Sequence, residues 1–147
     1  MREILFRGKS IVANSPNTRG FWVEGNLFHQ TRSAYDEPVN RYHILDGATH
    51  IDGLDGNTEV WPETVGQFTG LIDKNGRKIF EGDILLVLRG NVMAGKMYPL
   101  RTELCVVKYC KDRFLMNAEY GYEDIGPLKY IEVIGNIHDN PELLEVK

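Results

Sequence analysis

Cysteine is scarce in this chain, which contains only Cys105 and Cys110 among its 147 residues. No CxxC pair is present, so the sequence lacks the ligand spacing of a zinc site and the motif of a dithiol redox centre. Because side chains alternate between the two faces of a strand, residues five positions apart point to opposite faces. We therefore expect two free thiols and no disulfide bond.

Long hydrophobic runs are also absent. The best candidate, Ile84 to Leu88, is far shorter than the ~18 residues that cross a bilayer. The first residues, Met1 to Arg7, include an acid and lack the apolar stretch and cleavage site of a signal peptide. The sequence therefore predicts a cytoplasmic protein with no membrane segment.

Neither half of the chain has a strong excess of one charge. The net charge is −4, and acidic residues slightly outnumber basic ones on both sides of Pro62. Non-specific nucleic-acid binding depends on clustered cations that neutralise phosphates. The charge balance disfavours general nucleic-acid coating and leaves open a local basic patch.

Recognisable catalytic motifs are missing. None of the three serines lies in a Gly-x-Ser-x-Gly elbow, and no GxGxxG or phosphate-binding loop occurs. The oxygen-rich segment Asp46 to Asn57 fails the acid spacing of a calcium-binding EF-hand loop. The four histidines have no evident nucleophile partner in the sequence: His29, His43, His50 and His138. We expect no enzymatic activity, no metal and no cofactor.

The chain does contain short apolar and aromatic runs separated by glycine-rich turns. This pattern predicts a mainly β fold. In the first half, Asn14 to Asn17 predicts a turn, and Gly25-Asn26 predicts a tight hairpin between two aromatic runs. Asp46 to Asn57 reads as a loop. Pro62 then marks the predicted boundary between an N-terminal unit, 1–62, and a C-terminal unit, 63–147, although one intertwined domain is also compatible.

The second half has the pattern of a small SH3-like barrel. Asp73 to Gly76 and Glu81 to Asp83 predict turns around short strands, and Ile84 to Leu88 predicts a buried strand. A long loop, Arg89 to Leu100, follows it. Near the end, Asn140-Pro141-Glu142 has the capping pattern of a short C-terminal helix.

The predicted loop contains the candidate binding residues. No acid occurs between Ile84 and Thr102, whereas cations and an aromatic residue alternate with methionines. Such a loop can hold an anionic partner through phosphate contacts and stacking, and methionines adapt to varied protein surfaces. The alternative is a solvated loop without a ligand. The candidates are Arg89, Lys96, Tyr98 and Arg101.

The sequence resembles the YopX family of phage and prophage proteins. The central block carries most of the resemblance, and the two ends of the chain also fit: Thr64 to Gly76, Ile79 to Ile84, Arg2 to Lys9, Trp22 to Gly25, Glu132 to Ile137 and Asn140 to Leu144. The resemblance implies a mainly β protein with SH3-like barrel character and a gene carried by phages or prophages. It implies no catalytic residue, cofactor or ligand.

Two functions remain open from the sequence. The favoured one is a non-enzymatic module that binds a host or phage protein, or that self-associates as a homo-oligomer. The alternative is a nucleic-acid-binding protein that uses the basic loop after the strand Ile84 to Leu88. The sequence identifies neither the partner nor the oligomeric state.

Overall fold

The computed structural model describes residues 4–11, 21–49 and 55–145. These ranges confirm the mainly β prediction, because antiparallel strands dominate them and the helical segments are short 3₁₀ turns. The strands are β1 (Phe6–Lys9), β2 (Trp22–Arg32), β3 (Pro38–Thr49), β4 (Asp55–Val60), β5 (Gly66–Ile72), β6 (Lys78–Phe80), β7 (Asp83–Met93), β8 (Lys96–Cys110), β9 (Arg113–Ala118), β10 (Gly121–Asp124) and β11 (Ile131–Asn136).

The chain divides into two compact units, residues 1–68 and 69–147. This division falls inside β5, whereas the sequence prediction placed it after Pro62. In the first unit, β4, β3, β2, β1 and the start of β5 lie side by side. Alternating residues of these strands bury a core of Val23, Ile44 and Val60.

The tight hairpin predicted at Gly25-Asn26 is wrong. Strand β2 runs straight through these residues, with Gly25 opposite Phe6 and Asn26 opposite Leu45. The chain reverses later, after Arg32, where the Ser33 hydroxyl accepts hydrogen bonds from two backbone N–H groups of the turn. Strand neighbours on both sides of β2 therefore override the local turn preference.

Two further predictions concern segments that lie wholly or partly outside the described residues. The predicted turn at Asn14 to Asn17 lies outside the described residues. The predicted loop from Asp46 to Asn57 is partly strand, since β3 reaches Thr49 and β4 begins at Asp55. Residues 50–54 between them lie outside the described part of the chain.

In the second unit, the strands form an open antiparallel sheet in the order β10, β9, β8, β7, β11. Its core combines sheet residues with Ile79 of β6: Ile79, Leu85, Val87, Cys105, Val107, Met116, Ile131 and Val133. Among the described strands, β10 and β11 are not paired with each other, so no closed barrel forms. The SH3-like barrel is therefore not confirmed.

The predicted C-terminal helix is not confirmed either. Pro141–Leu144 forms one 3₁₀ turn, and the Asn140 side chain makes no capping bond to it. The Asn140 side chain instead accepts a hydrogen bond from the Asn136 backbone at 3.3 Å. The local asparagine bonds hold a turn in place of a longer helix.

The predicted turn at Asp73 to Gly76 is confirmed, and Asp73 fixes it. One carboxylate oxygen accepts the backbone N–H groups of Asn75 and Arg77, both at 2.9 Å. The other oxygen accepts the N–H of Val133 in β11 at 2.8 Å. Asp73 is thus a buried link between the β5–β6 turn and the last strand.

The loop predicted at Arg89 to Leu100 is wrong, because β7 and β8 continue through it as a hairpin. Asn91 stands opposite Tyr98, and Met93 stands opposite Lys96. The turn residues Ala94 and Gly95 have positive φ angles of 53° and 77°, the backbone that a two-residue hairpin requires. We call the ribbon formed by residues 88–93 and 96–102 the β7–β8 arm.

Candidate binding surface

The β7–β8 arm extends beyond the strands that flank it in the sheet. Strand β11 pairs with β7 only as far as Val87, and β9 pairs with β8 only from Val106 onward. Among the described strands, residues 88–93 of β7 and 96–102 of β8 pair only with each other. Within the described part of the chain, the arm therefore presents two strand edges that no other strand pairs with.

Apolar side chains are exposed along the arm. The exposed fraction is 59% for Val92, 61% for Met93, 47% for Tyr98 and 71% for Leu100. The ammonium group of Lys96 lies 5.5 Å from the centre of the Tyr98 ring, so these two predicted site residues are brought together. The outer part of the arm is thus an apolar surface with one cation.

The other two predicted residues, Arg89 and Arg101, stand opposite each other at the base of the arm. Arg89 donates to Glu103 at 2.8 Å and makes two hydrogen bonds to Glu123, at 2.7 and 3.2 Å. Arg101 lies 3.8 Å from Glu103 and 3.7 Å from Glu119. Three carboxylates therefore face the two guanidinium groups.

Hydrogen bonds and opposite charges outweigh burial and favour the ionised forms of Glu103 and Arg89. Burial alone would raise the pKa of Glu103, but the N–H of Glu119 and the Arg89 guanidinium outweigh it and lower the pKa. Burial alone would lower the pKa of Arg89, but hydrogen bonds to Glu123 and Glu103 raise it. The base of the arm is consequently an ion-paired cluster and not an unopposed basic patch.

Sequence reasoning missed the acids of this cluster. Glu103 follows Arg101 by two residues, so strand alternation alone could have placed both on one face. Glu119 and Glu123 come from the β9–β10 region, and only the order of the strands brings them to Arg89 and Arg101. An acid-free stretch of sequence is therefore not an acid-free surface.

A small groove of about 180 Å³ runs beside the free edge of β7. It is smaller than the roughly 300–1,000 Å³ typical of small-molecule pockets, and its size suits a single side chain. Its walls are mainly apolar and come from the arm and from the segment before β11, including Leu88, Gly90, Val92, Met97, Pro127 and Tyr130.

Three described side chains of reactive types, Cys105, His29 and His43, are buried or hydrogen-bonded within the fold. Burial, followed by the charge of Glu103, raises the pKa of Cys105 to about 11, which leaves little thiolate at neutral pH. His29 bonds the Asn40 amide at 2.6 Å, and His43 bonds Gln30 at 2.9 Å. Within the described ranges, no group of three or more His, Cys, Asp or Glu residues is arranged to hold a metal ion.

None of the described helical segments has the length and apolar character needed to cross a membrane.

The comparisons with known proteins give one similar solved structure and one family. The fold is similar to the crystal structure of protein EF1440 from Enterococcus faecalis, with a TM-score of 0.51 and 25% identity over 99% of this chain and 100% of that one. No curated protein matches the chain. Residues 18–145 match the family described as YopX protein. This match covers most of the sequence, and the chain therefore belongs to the YopX family.

Proposed function

We propose that this YopX-family protein is a non-enzymatic binding module that holds a protein partner on its β7–β8 arm. One observation carries the proposal: the arm is a two-stranded ribbon whose outer edges have no described strand partner. Exposed strand edges offer unpaired backbone donors and acceptors, which are templates for adding a strand from another chain.

The exposed side chains support the same role. A two-stranded ribbon is marginally stable in water unless it packs against something. Yet Val92, Met93 and Leu100 are each more than half exposed on this ribbon. A protein partner that pairs with the edge would stabilise the ribbon and would also remove these apolar side chains from water.

The ion pairs at the base favour a protein partner over a nucleic acid. The alternative function relies on Arg89, Lys96 and Arg101 to contact phosphates. Arg89 and Arg101 already face carboxylates, and drawing Arg89 away would leave the nearly buried Glu103 without its close partner. Lys96 alone is a small contribution to phosphate binding, which gains strength from several cations acting together.

We further propose that the protein acts in the cytoplasm of a bacterium that carries a phage or prophage, where its partner is a host or phage protein. The family membership supports this setting. Fractionation of a lysogenic host after prophage induction should recover the chain with cytoplasmic proteins. Recovery only with membranes or outside the cell would contradict it.

Site-specific crosslinking tests the role of the arm. A photoreactive residue replaces Met93 at the arm tip, and a matched variant carries it at Tyr35, which is 87% exposed in another turn. Irradiation in host cells should give discrete covalent adducts from position 93 and not from position 35. Mass spectrometry identifies the attached chain. Adducts that are absent or equal at the two positions would refute the proposal.

A further inference from the structure

We propose that the arm binds a second copy of this chain, by antiparallel pairing of the two β7 edges about a two-fold axis at Asn91. This inference rests on the proposed function, since it names the partner of the same arm. It makes the interface isologous, with each chain contributing the same surface.

The β7 edge suits strand pairing better than the β8 edge. Strand β8 contains Pro99, which has no backbone N–H to donate, and the register with β7 shifts at Leu100. Such features protect an edge from pairing. Residues Leu88 to Met93 of β7 contain neither a proline nor an extra residue, so this edge can pair with a strand of another chain.

The symmetry restricts the register. Two identical antiparallel strands related by a two-fold axis normal to their sheet must place one residue opposite its own copy, because opposed residues share a face. Asn91 is the middle residue of Arg89 to Met93, the outer part of the edge. Its exposed amide carries both a donor and an acceptor, so two facing Asn91 side chains can bond each other.

The groove beside β7 agrees with this register. Pairing centred on Asn91 places Val92 of the second copy opposite Gly90, which has no side chain. Gly90 and Val92 both line the groove of about 180 Å³, whose far wall includes Pro127 and Tyr130. The valine of each copy would therefore enter the groove of the other and bury apolar surface on both.

The charges do not oppose this pairing. The same register sets Arg89 against Met93 of the second copy, so the two Arg89 side chains do not stand opposite each other. Arg89 is also neutralised by Glu103 and Glu123 within its own chain. Because the contact uses one short strand per copy, it falls at the small end of specific interfaces, and we expect a concentration-dependent dimer.

Charge-swapped variants test the two-fold register. In N91D and in N91K, two like charges would face each other across the axis, and an equimolar mixture would pair opposite charges. Sedimentation over roughly 1–100 μM, the concentration range for interfaces of modest affinity, should show dimers of the wild type. Each variant alone should raise the dimer Kd about tenfold or more, and the mixture should restore association.

Asn117, an exposed residue of β9 in the same unit, provides the control. N117D and N117K should leave the dimer Kd unchanged. A wild type that stays monomeric throughout this range, or a mixture that associates no better than either variant, would overturn the two-fold pairing. If position 93 still crosslinks to a different protein, the proposed function stands and only the second copy is excluded. If position 93 gives no adduct, both fail.

Discussion

At the scale of single residues, Asp73 has a structural role that accounts for part of the central sequence block shared with the YopX family. Burial alone would raise its pKa, but the N–H donors of Val133, Arg77 and Asn75 outweigh burial and lower it. The ionised carboxylate is therefore the form that the fold requires. The prominent sequence around Asp73 has a structural purpose, which is to join the β5–β6 turn to β11.

We predict that D73N destabilises the protein by about 1–3 kcal/mol, the usual cost of leaving buried hydrogen-bonding groups without a proper partner. The amide nitrogen of Asn cannot accept a hydrogen bond, so at least one backbone N–H loses its acceptor. Urea unfolding at neutral pH measures the change. The control is D124N, whose side chain is 86% exposed and lies 3.8 Å from Arg113. Equal stabilities of D73N and D124N would contradict this role.

The turn at Asp73 to Gly76 was predictable at this scale, because its residue preferences are local and no neighbouring strand overrides them. Asn75-Gly76 predicted its turn correctly, and Gly76 has the positive φ that the turn needs. The second function of Asp73 was not predictable, since Val133 lies sixty residues further along the chain. A single sequence contains no signal for such a long-range bond.

At the scale of elements, the β7–β8 arm is where the sequence misled. Gly90, Gly95 and Pro99 predicted a loop, because glycine and proline are unfavourable inside strands. In the structure these residues lie within a hairpin and not in a loop. Gly95 is part of the hairpin turn, and Gly90 stands opposite Pro99 next to the register shift. A Cβ at Gly90 would collide with the Tyr98 carbonyl oxygen, so glycine is required there for the strands to approach.

We predict that Arg89 anchors the base of the arm and that Arg101 does not. R89M should cost about 1–3 kcal/mol, because Glu103, whose side chain is only 10% exposed, loses its closest cation. R101M should cost less than ~0.5 kcal/mol, since that half-exposed guanidinium sits at the outer limit of ion-pair distance. Chemical unfolding of both variants measures the difference.

The double variant R89M/E103Q provides the check on this argument. Removing the charge of Glu103 should recover part of the stability that R89M loses, because the buried carboxylate would no longer lack its partner. Equal losses in R89M and R101M, or no recovery in the double variant, would show that the ion pairs do not hold the arm.

At the scale of the whole molecule, the sequence predicted the fold class correctly and the architecture only partly. Alternating apolar residues and glycine turns were sufficient for a mainly β protein. They did not specify which strands pair, so an SH3-like barrel was expected where the described strands form an open sheet. Of the predicted site residues, Lys96 and Tyr98 lie together on the arm. Arg89 and Arg101 belong to the ion-paired base, which could not be predicted without knowing the order of the strands.

The most direct test of the account is to shorten the arm. Replacing residues 92–97 with an Asn-Gly turn joins Asn91 to Tyr98, which already face each other and both have the backbone N–H that closes such a turn, and leaves the Arg89 cluster in place. The deleted residues lie outside the hydrophobic core, so the melting temperature should stay nearly unchanged.

Size-exclusion chromatography of host extracts, with immunodetection of the chain, then compares the two proteins. We predict that the full-length chain elutes in an assembly larger than a monomer, whereas the shortened chain elutes as a folded monomer. Identical elution of the two proteins, with both folded, would contradict the assignment of binding to the β7–β8 arm.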